Sequence, residues 1–566
     1  MTDGLVAPAR LCLIEKFLSC PSSRLTTVLA QDAAVSLKQS EMLARVACAR
    51  QVLRQSALAP EQVVAIALPS SVEVLVMVLA CWAEGLAIAL LPHELPHESK
   101  REGAGIEAML ALLDPALILT SGSIAQRLAP AWSERVLTDV ALVERMQAVE
   151  TPVDEPVLSR PESLAILQFT SGSTGAPKAV CITQAMLSAN CQAIAERVAV
   201  AAADRMVSWL PLHHDMGLSA LTLAWWCSID LVLMPTSEFS RQPLAWLHAL
   251  SRYKGTLSPA PTSAFALLGR LAGRLRDGDL DLSHWRYAWV GAEPVFHAHL
   301  HQFEAAFSAY GLQAGVLQPA YGMAEAVVAV SLNAPGQALR VRWLDTQSLH
   351  ADGVVREQPE GAPGAAAYLG NGTGVGDVEL RVVDERGLEV SEGLLGSLQI
   401  RGGSVIRRYL KMEPVRPQAR DWYDTGDLGF VLGAEVYITG RTKDLITRAG
   451  VNVSPHIVEW SLEHGLGLAA GSVAAFSCID SRHVKESVVV VIAVNALGNR
   501  DLEELRREVA RTVARHAGVQ VDDLVLIRRA DFPKTTSGKI QRQALSRLYL
   551  SGKLNPAAVA TDAVSA

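Results

Sequence analysis

The stretch "LQFTSGSTGAPKAV", Leu167–Val180, changes character partway along. An apolar run ending at Phe169 gives way to Thr170, Ser171, Gly172, Ser173, Thr174 and Gly175 in unbroken succession, and Lys178 is its only cation. Gly172 and Gly175 let the backbone turn so that several N–H groups point inward, the four hydroxyls add short donors, and Lys178 adds a charge. Such a donor set suits phosphate oxygens, although the same composition also serves in plain turns and linkers. A Walker A loop, G-x-x-x-x-G-K-S/T, is excluded because Pro177 stands where its second glycine would be. Two readings stay open at this point, a linker and a phosphate cradle, and the surrounding chain decides between them.

Apolar runs like the one before Thr170 recur on both sides of it. "VVAIALP" (Val63–Pro69), "LAIALLP" (Leu86–Pro92), "LILTS" (Leu117–Ser121), "MVSWLP" (Met206–Pro211), "LVLMP" (Leu231–Pro235) and "YAWVGAEP" (Tyr287–Pro294) all read as strands. Helical patterns lie between them, such as "PLAWLHALSRY" (Pro243–Tyr253) and "TSAFALLGRLAGRL" (Thr262–Leu275). Nearly continuous apolar strands alternating with helices predict layered α/β subdomains around buried, largely parallel sheets.

Texture changes after about Gly370. "VELRVVDERG", "GSLQIRG" and "AEVYITGR" alternate or carry β-branched residues between Gly-rich turns, which predicts a small antiparallel sheet or barrel. We place a large N-terminal domain at residues 1–441, with its β-rich subdomain at about 345–441, and a small α+β C-terminal domain at 442–566. The latter has a helix at His456–His464, strands "SVAAFSCI" and "SVVVVIAV", a helix at Asp501–Ala517 and a final strand. Leu502, Leu505, Val509 and Val513 fall on one face of that second helix and predict packing against the strands. The last 15 or so residues, "NPAAVATDAVSA" and its approach, read as a frayed tail.

Bulk properties narrow the class. A chain of 566 residues exceeds what one core supports, so several domains are expected. Half of its residues are hydrophobic, 19% are charged and the net charge is −7, which argues against an electrostatic grip on nucleic acid or an anionic membrane. Eight scattered cysteines form no C-x-x-C and no cluster with histidine, so neither a disulfide framework nor a zinc site is expected. "VEVLVMVLACWAEGLAIALL" (Val72–Leu91) carries Glu73 and Glu84 and is broken by Gly85, so it reads as a buried helix and strand rather than a membrane span. The N-terminus lacks the pattern of a secretory leader, and a cytoplasmic protein without an integral membrane segment is expected.

Four further stretches bear on the polar loop. "QPAYGMAEA" (Gln318–Ala326) offers Tyr321 as a surface for a base and Glu325 as a magnesium ligand; a core tyrosine and a helix-capping glutamate are the plainer alternatives. "YDTGDLG" (Tyr423–Gly429) reads as a turn in which Asp427 can take the two hydroxyls of a ribose, or make an Asx-type turn. "GRTKDLI" (Gly440–Ile446) carries Arg441 at the junction of the two large units. "PKTTSGKIQR" (Pro533–Arg542) holds Lys539 in a Gly-containing loop, where an ammonium can be delivered to an anion or simply be solvated.

In this order and at these spacings, the five segments resemble the adenylate-forming superfamily of acyl-CoA synthetases, luciferases, peptide-synthetase adenylation domains and fatty acyl-AMP ligases. The resemblance implies a two-domain α/β enzyme whose C-terminal domain is mobile, with ATP and Mg2+ as cofactors and a carboxylic acid as substrate. It assigns Thr170 to Lys178 to the phosphates, Thr170 also to the neighbourhood of the metal, Glu293 to the adenine segment, and Tyr321 to the adenine. Glu325 becomes the magnesium ligand, Asp427 the ribose binder and Arg441 its helper. Lys443 matches the hinge neighbourhood, with Asp444 as a rival, and Lys539 matches the lysine that meets the substrate carboxylate and the α-phosphate.

Within the superfamily, "WLPLHHDMGL" (Trp209–Leu218), "SRQPLAWLHALSRYKGTLSPAP" (Ser240–Pro261) and "DLSHWRYAWVGAEPV" (Asp281–Val295) are similar to fatty acyl-AMP ligases, as is the long interval between Ala326 and Tyr423. That subgroup implies transfer of the acyl group to the phosphopantetheine of an acyl-carrier protein. "AGVNVSPHIVEW" (Ala449–Trp460) is instead closer to acyl-CoA synthetases, which implies coenzyme A as the alternative acceptor. His214, Trp225 and Trp226 fall where an acyl tunnel would be flanked. A tryptophan projecting into it would favour a medium chain or an aryl acid; a tryptophan packed in the core is the alternative.

Overall fold

The computed structural model describes residues 12–19, 24–29, 34–93, 103–150, 152, 156–157, 159–170, 177–416, 418, 420–448, 451–480, 485–494, 501–534 and 540–554. Ser171–Gly175 of the polar loop, Lys539, the N-terminal residues read for a leader and the tail from residue 555 lie outside the described residues.

Leu164–Thr170 and Lys178–Thr183 are adjacent antiparallel strands at one edge of a six-stranded sheet, with Thr170 opposite Lys178. The polar stretch therefore connects a hairpin. Inward from it lie Ala87–Leu90, Val63–Ala67, Leu117–Thr120 and Val136–Thr138, all paired in parallel. The would-be membrane stretch is the helix Val72–Ala83, begun where the Ser71 hydroxyl accepts the Val74 N–H, followed by the strand Ala87–Leu90. Gly85 reverses the chain between them with φ +70, a conformation that costs a residue with a Cβ. Among the described residues no helix is long and apolar enough to cross a membrane.

A second sheet has nine strands, in the order Thr373–Gly374, Ala329–Leu332, Leu317–Gly322, Tyr287–Gly291, Leu257–Pro261, Arg205–Ser208, Asp230–Leu233, Leu25–Leu29, Ala34–Lys38. The strands from Leu317–Gly322 through Leu25–Leu29 run parallel, and antiparallel strands close both edges. Side chains alternate between its faces. Met206, Leu257, Tyr287 and Trp289 join the core that also holds Trp82, Leu221 and Trp225, and this core is continuous with the six-stranded sheet. Val207, Ala260, Ala288 and Val290 face a second core around Trp246, Phe265, Trp285 and Phe303. Buried on both faces, these strands have continuous apolar runs rather than alternating ones, as the sequence predicts for parallel sheets.

The β-rich part is a four-stranded antiparallel sheet, Glu379–Val383, Gly396–Arg401, Tyr423–Leu432 and Glu435–Arg441 in that order. "YDTGDLG", read above as a turn, is instead the start of its third strand. Gly426 at φ +70 and a register shift after Leu428 bend that strand, which is why its sequence looks like a turn.

Beyond Arg441 the chain forms a hairpin (Ile446–Arg448, Val451–Val453), the helix Pro455–Gly465, two antiparallel strands (Val473–Asp480, Lys485–Val494), the helix Leu502–Ala517, a parallel strand Asp523–Arg528 and a last helix, Arg542–Leu550. The hairpin and the last helix were not expected. Ile446, Val458, Leu462, Leu505, Val509 and Val513 pack on one face of the three-stranded sheet, and Phe476, Ile527 and Leu545 on the other. Leu502 packs at the margin of the first group.

Candidate active site

The C-terminal ends of the parallel strands in the nine-stranded sheet open into a cleft of about 1680 Å³, whose other wall is the unit beyond Arg441. In open α/β sheets this edge is where ligands bind, because loops diverge there. Across the cleft Trp460, on helix Pro455–Gly465, stacks on Phe296 with ring centroids 6.0 Å apart and planes at 16°.

Three side chains from three separate motifs meet at its floor. The Tyr321 hydroxyl donates to Oδ2 of Asp427 at 2.7 Å, and Nε of Arg441 donates to Oδ1 at 2.9 Å. Tyr321 is the penultimate residue of the strand Leu317–Gly322, while Asp427 and Arg441 are directly opposed on neighbouring strands of the β-rich sheet. Burial and the neighbouring Asp427 carboxylate push the Tyr321 phenol well above its ordinary range, so it stays a donor. Each Asp427 oxygen retains acceptor capacity, as a carboxylate offers about four lone-pair sites in all.

A second cluster forms beside it. Glu325, in the short turn after Tyr321, accepts from the Tyr409 hydroxyl at 2.8 Å, and the Tyr409 and Tyr423 hydroxyls are 2.9 Å apart. Burial lifts the Glu325 carboxyl above the usual range, Asp215 adds to the lift, and the Tyr409 hydrogen bond opposes it. The ammonium of Lys178 sits 5.6 Å from the Tyr409 ring centroid, which links the hairpin edge to this cluster. Thr170 and Lys178 both line the cleft. The Tyr409 hydroxyl was missed by the sequence reading, because "RRYLKMEP" carries no periodic or motif signal; Tyr423 opens a quoted stretch but was given no role.

Glu293 follows the strand Tyr287–Gly291 and lines the cleft, where its Oε2 accepts the Ser263 backbone N–H at 3.0 Å. His214 precedes the helix Asp215–Cys227 and lines the cleft beside His213, with ring centroids 4.4 Å apart. Burial, with His214 and His93 nearby, lowers the His213 pKa to about 2, so that ring is neutral.

Trp225 and Trp226 lie elsewhere. They are 3% and 4% exposed, belong to the core, and are absent from the cleft lining. Trp225 packs on Phe17 and Trp82 at centroid distances of 5.7 and 6.2 Å, and Trp226 donates to Gln192 Oε1 at 3.0 Å. The helix turns these two positions away from the cleft and presents Met216, Ser219, Ala220 and Leu223 to it, one stripe at helical spacing.

Lys443 lies in the turn Thr442–Asp444 and also lines the cleft. Its neighbour Asp444 pairs with Arg542 at 3.6 Å, and Arg542 makes a two-point pair with Glu459 at 2.6 and 2.7 Å. Although burial pushes the Glu459 carboxyl up, Arg542 holds it down at about 2.

The sequence matches the family model of AMP-binding enzymes over residues 25–410, more than half of the chain. The chain belongs to the AMP-binding enzyme family. A protein of Caulobacter vibrioides, provisionally assigned as an acyl-CoA synthetase, is 35% identical over 398 residues, 69% of each chain. A medium-chain-fatty-acid–acyl-carrier-protein ligase of Teredinibacter turnerae is 31% identical over 434 residues, 70% of this chain and 66% of that one. A solved structure from work on fatty acyl-adenylate ligases of E. coli and L. pneumophila superposes with a TM-score of 0.86 at 28% identity, covering 96% of this chain and 98% of the other. This AMP-binding enzyme is an adenylate-forming ligase with the α/β fold of that group.

Proposed function

We propose that the cleft joins ATP to a fatty or aryl acid, forming the acyl-adenylate with release of pyrophosphate, and passes the acyl group to the phosphopantetheine thiol of an acyl-carrier protein with release of AMP. The observation that carries the reading is the convergence of Tyr321, Glu325, Asp427 and Arg441, drawn from three distant stretches, on one edge of one cleft. Asp427 takes the ribose hydroxyls on its remaining lone pairs, with Tyr321 and Arg441 holding it in place. The Tyr321 ring flanks the adenine, and Glu293 borders it.

The segment Thr170–Lys178 receives the phosphates, and Lys178 adds its charge. Glu325 fits a magnesium ion, a hard cation commonly held by one or two carboxylates together with phosphate and water, and Thr170 stands on the strand beside that position. When bound, the metal offsets charge on the phosphates. A carboxylate oxygen of the acid attacks the α-phosphorus, a P–O bond forms, and the bond to the bridging oxygen breaks so that pyrophosphate leaves. Two anions must meet, so the Lys539 ammonium, brought in with the C-terminal domain as it turns about the Lys443–Asp444 segment, reduces their repulsion. The domain limits 1–441 and 442–566 belong to this reading, supported by the separate cores on either side of Arg441.

Pyrophosphate release should depend on added acid and fall by at least about a hundredfold in Lys539→Ala, the order lost when a transition-state charge partner is removed. Release unaffected by that change would sink the role given to Lys539. The acceptor is decided by offering coenzyme A and a holo carrier protein in parallel. Faster thioester formation on the carrier is expected, and coenzyme A as the better acceptor would instead favour the synthetase-like segment Ala449–Trp460.

A further inference from the structure

The cleft has an apolar limb, and its geometry points to one residue as the gauge of the acid. On the face of the nine-stranded sheet turned to helix Asp215–Cys227, the positions of strand Tyr287–Gly291 read, from the open edge inward, Gly291, Trp289 and Tyr287. The floor is therefore bare at Gly291 and blocked one step further in by the largest side chain available. Register partners extend this face. Pro259 lies beside Trp289, and Ala320 and Leu332 continue the same face towards the edge. The roof is the helix stripe Met216, Ser219, Ala220 and Leu223.

The indole is braced. Tyr287 packs edge-on against it with centroids 4.9 Å apart, and the Tyr287 hydroxyl, buried, donates to the Asn333 carbonyl at 2.7 Å. Trp289 is 8% exposed and lines the cleft, so what remains exposed of its residue lies at the cavity and not in the core. Beyond it the limb is still lined by Ile194, Met206 and Leu223, the Met206 position being level with Leu257 and Tyr287. From Gly291 to that level is roughly 13 Å of strand.

We propose that Trp289 narrows the acyl limb at half depth and sets the length and width of the acid that the ligase accepts: a medium-length acyl chain or an aryl acid passes beside the indole, and a long chain does not. This rests on the reading of the cleft as an acid-activating site. It replaces Trp225 and Trp226, which the helix turns into the core, with a tryptophan from the facing strand.

The test is acid-dependent pyrophosphate release by the full-length enzyme across straight-chain acids of increasing length and a set of aryl acids. In Trp289→Ala, kcat/KM for acids longer than the wild-type optimum should rise at least tenfold relative to that optimum, chiefly through KM, and Trp289→Phe should move the ranking less. Leu223→Phe, which fills the limb from the roof, should shift preference to shorter acids. A folded Trp289→Ala enzyme with the wild-type ranking overturns the proposal, as does a Leu223→Phe enzyme that keeps its ranking, whether or not Trp289→Ala folds. If the wild-type enzyme releases pyrophosphate with no acid at all, the acid-activation reading fails instead of the assignment of Trp289.

Discussion

At the floor of the cleft Asp427 is held by hydrogen bonds from Tyr321 and Arg441, and Glu325 by one from Tyr409; in the apolar limb Gly291, Trp289, Leu223 and Met206 are placed by packing alone. The first region tolerates little change, because each polar group has a named partner and an orphaned buried partner costs about 1–3 kcal/mol. The second is governed by volume, so its side chains can be exchanged for others at the expense of shape rather than of charge. Under the proposed function chemistry falls where direction matters, and under the assignment of Trp289 selectivity falls where only space does.

Three changes would break or sharpen that contrast. The largest effect is expected from Trp225→Ala, which empties a core site against Phe17 and Trp82. Calorimetric or denaturant unfolding should show a loss of about 3–5 kcal/mol, typical of removing a buried tryptophan. The ranking of acids should stay as in the wild type, and a shifted ranking would return Trp225 to the acyl limb.

Asp427→Ala comes next. It removes the proposed acceptor for ribose and leaves Tyr321 and Arg441 without their common partner. One hydrogen bond to a charged group is worth about 1.5–3 kcal/mol, so KM for ATP should rise by roughly ten- to a hundredfold. An unchanged KM for ATP would place the nucleotide away from this triad.

The smallest effect is expected from Tyr409→Phe, which keeps the ring under Lys178 but deletes the donor to Glu325. Glu325 already titrates above the ordinary carboxylate range because it is buried, and the Tyr409 hydrogen bond lowers it. If the carboxylate form is needed, activity falls as pH drops through that raised pKa. Removing the donor raises the pKa further, so the acid limb of kcat/KM for MgATP should move to higher pH. A shift of up to about one unit corresponds to roughly 1.4 kcal/mol of lost hydrogen bonding. A limb that stays put, or moves to lower pH, would separate Glu325 from the reaction.

How much of the site could be read in advance follows the same division. The Thr170–Lys178 segment, Tyr321, Glu325, Asp427 and Arg441 stand in short stretches whose residue types are unusual for strands or helices, and that local oddity is visible without coordinates. The α/β layering was legible for a similar reason: strands buried on both faces must be apolar throughout. "YDTGDLG" was misread as a turn because a bent strand and a turn both want Gly426 at positive φ. Tyr409 and Trp289 carried no signal. A tyrosine after two arginines and a tryptophan within an apolar strand are ordinary until the fold shows what faces them.

The amino-acid order alone determined most of the buried parallel strands, which polar stretches interrupt them, and that the chain has the residue types to hold a nucleotide and a cation, since these depend on local periodicity and side-chain chemistry. Tertiary structure decided which of those residues share a site and which tryptophans face the cavity. Asp427 is 106 residues from Tyr321, and their contact exists only because the β-rich sheet abuts the end of a strand in another sheet. Trp225 and Trp289 are chemically identical and pack in the same core, and only the rotation of a helix and the alternation of a strand bring the second to the cleft wall as well.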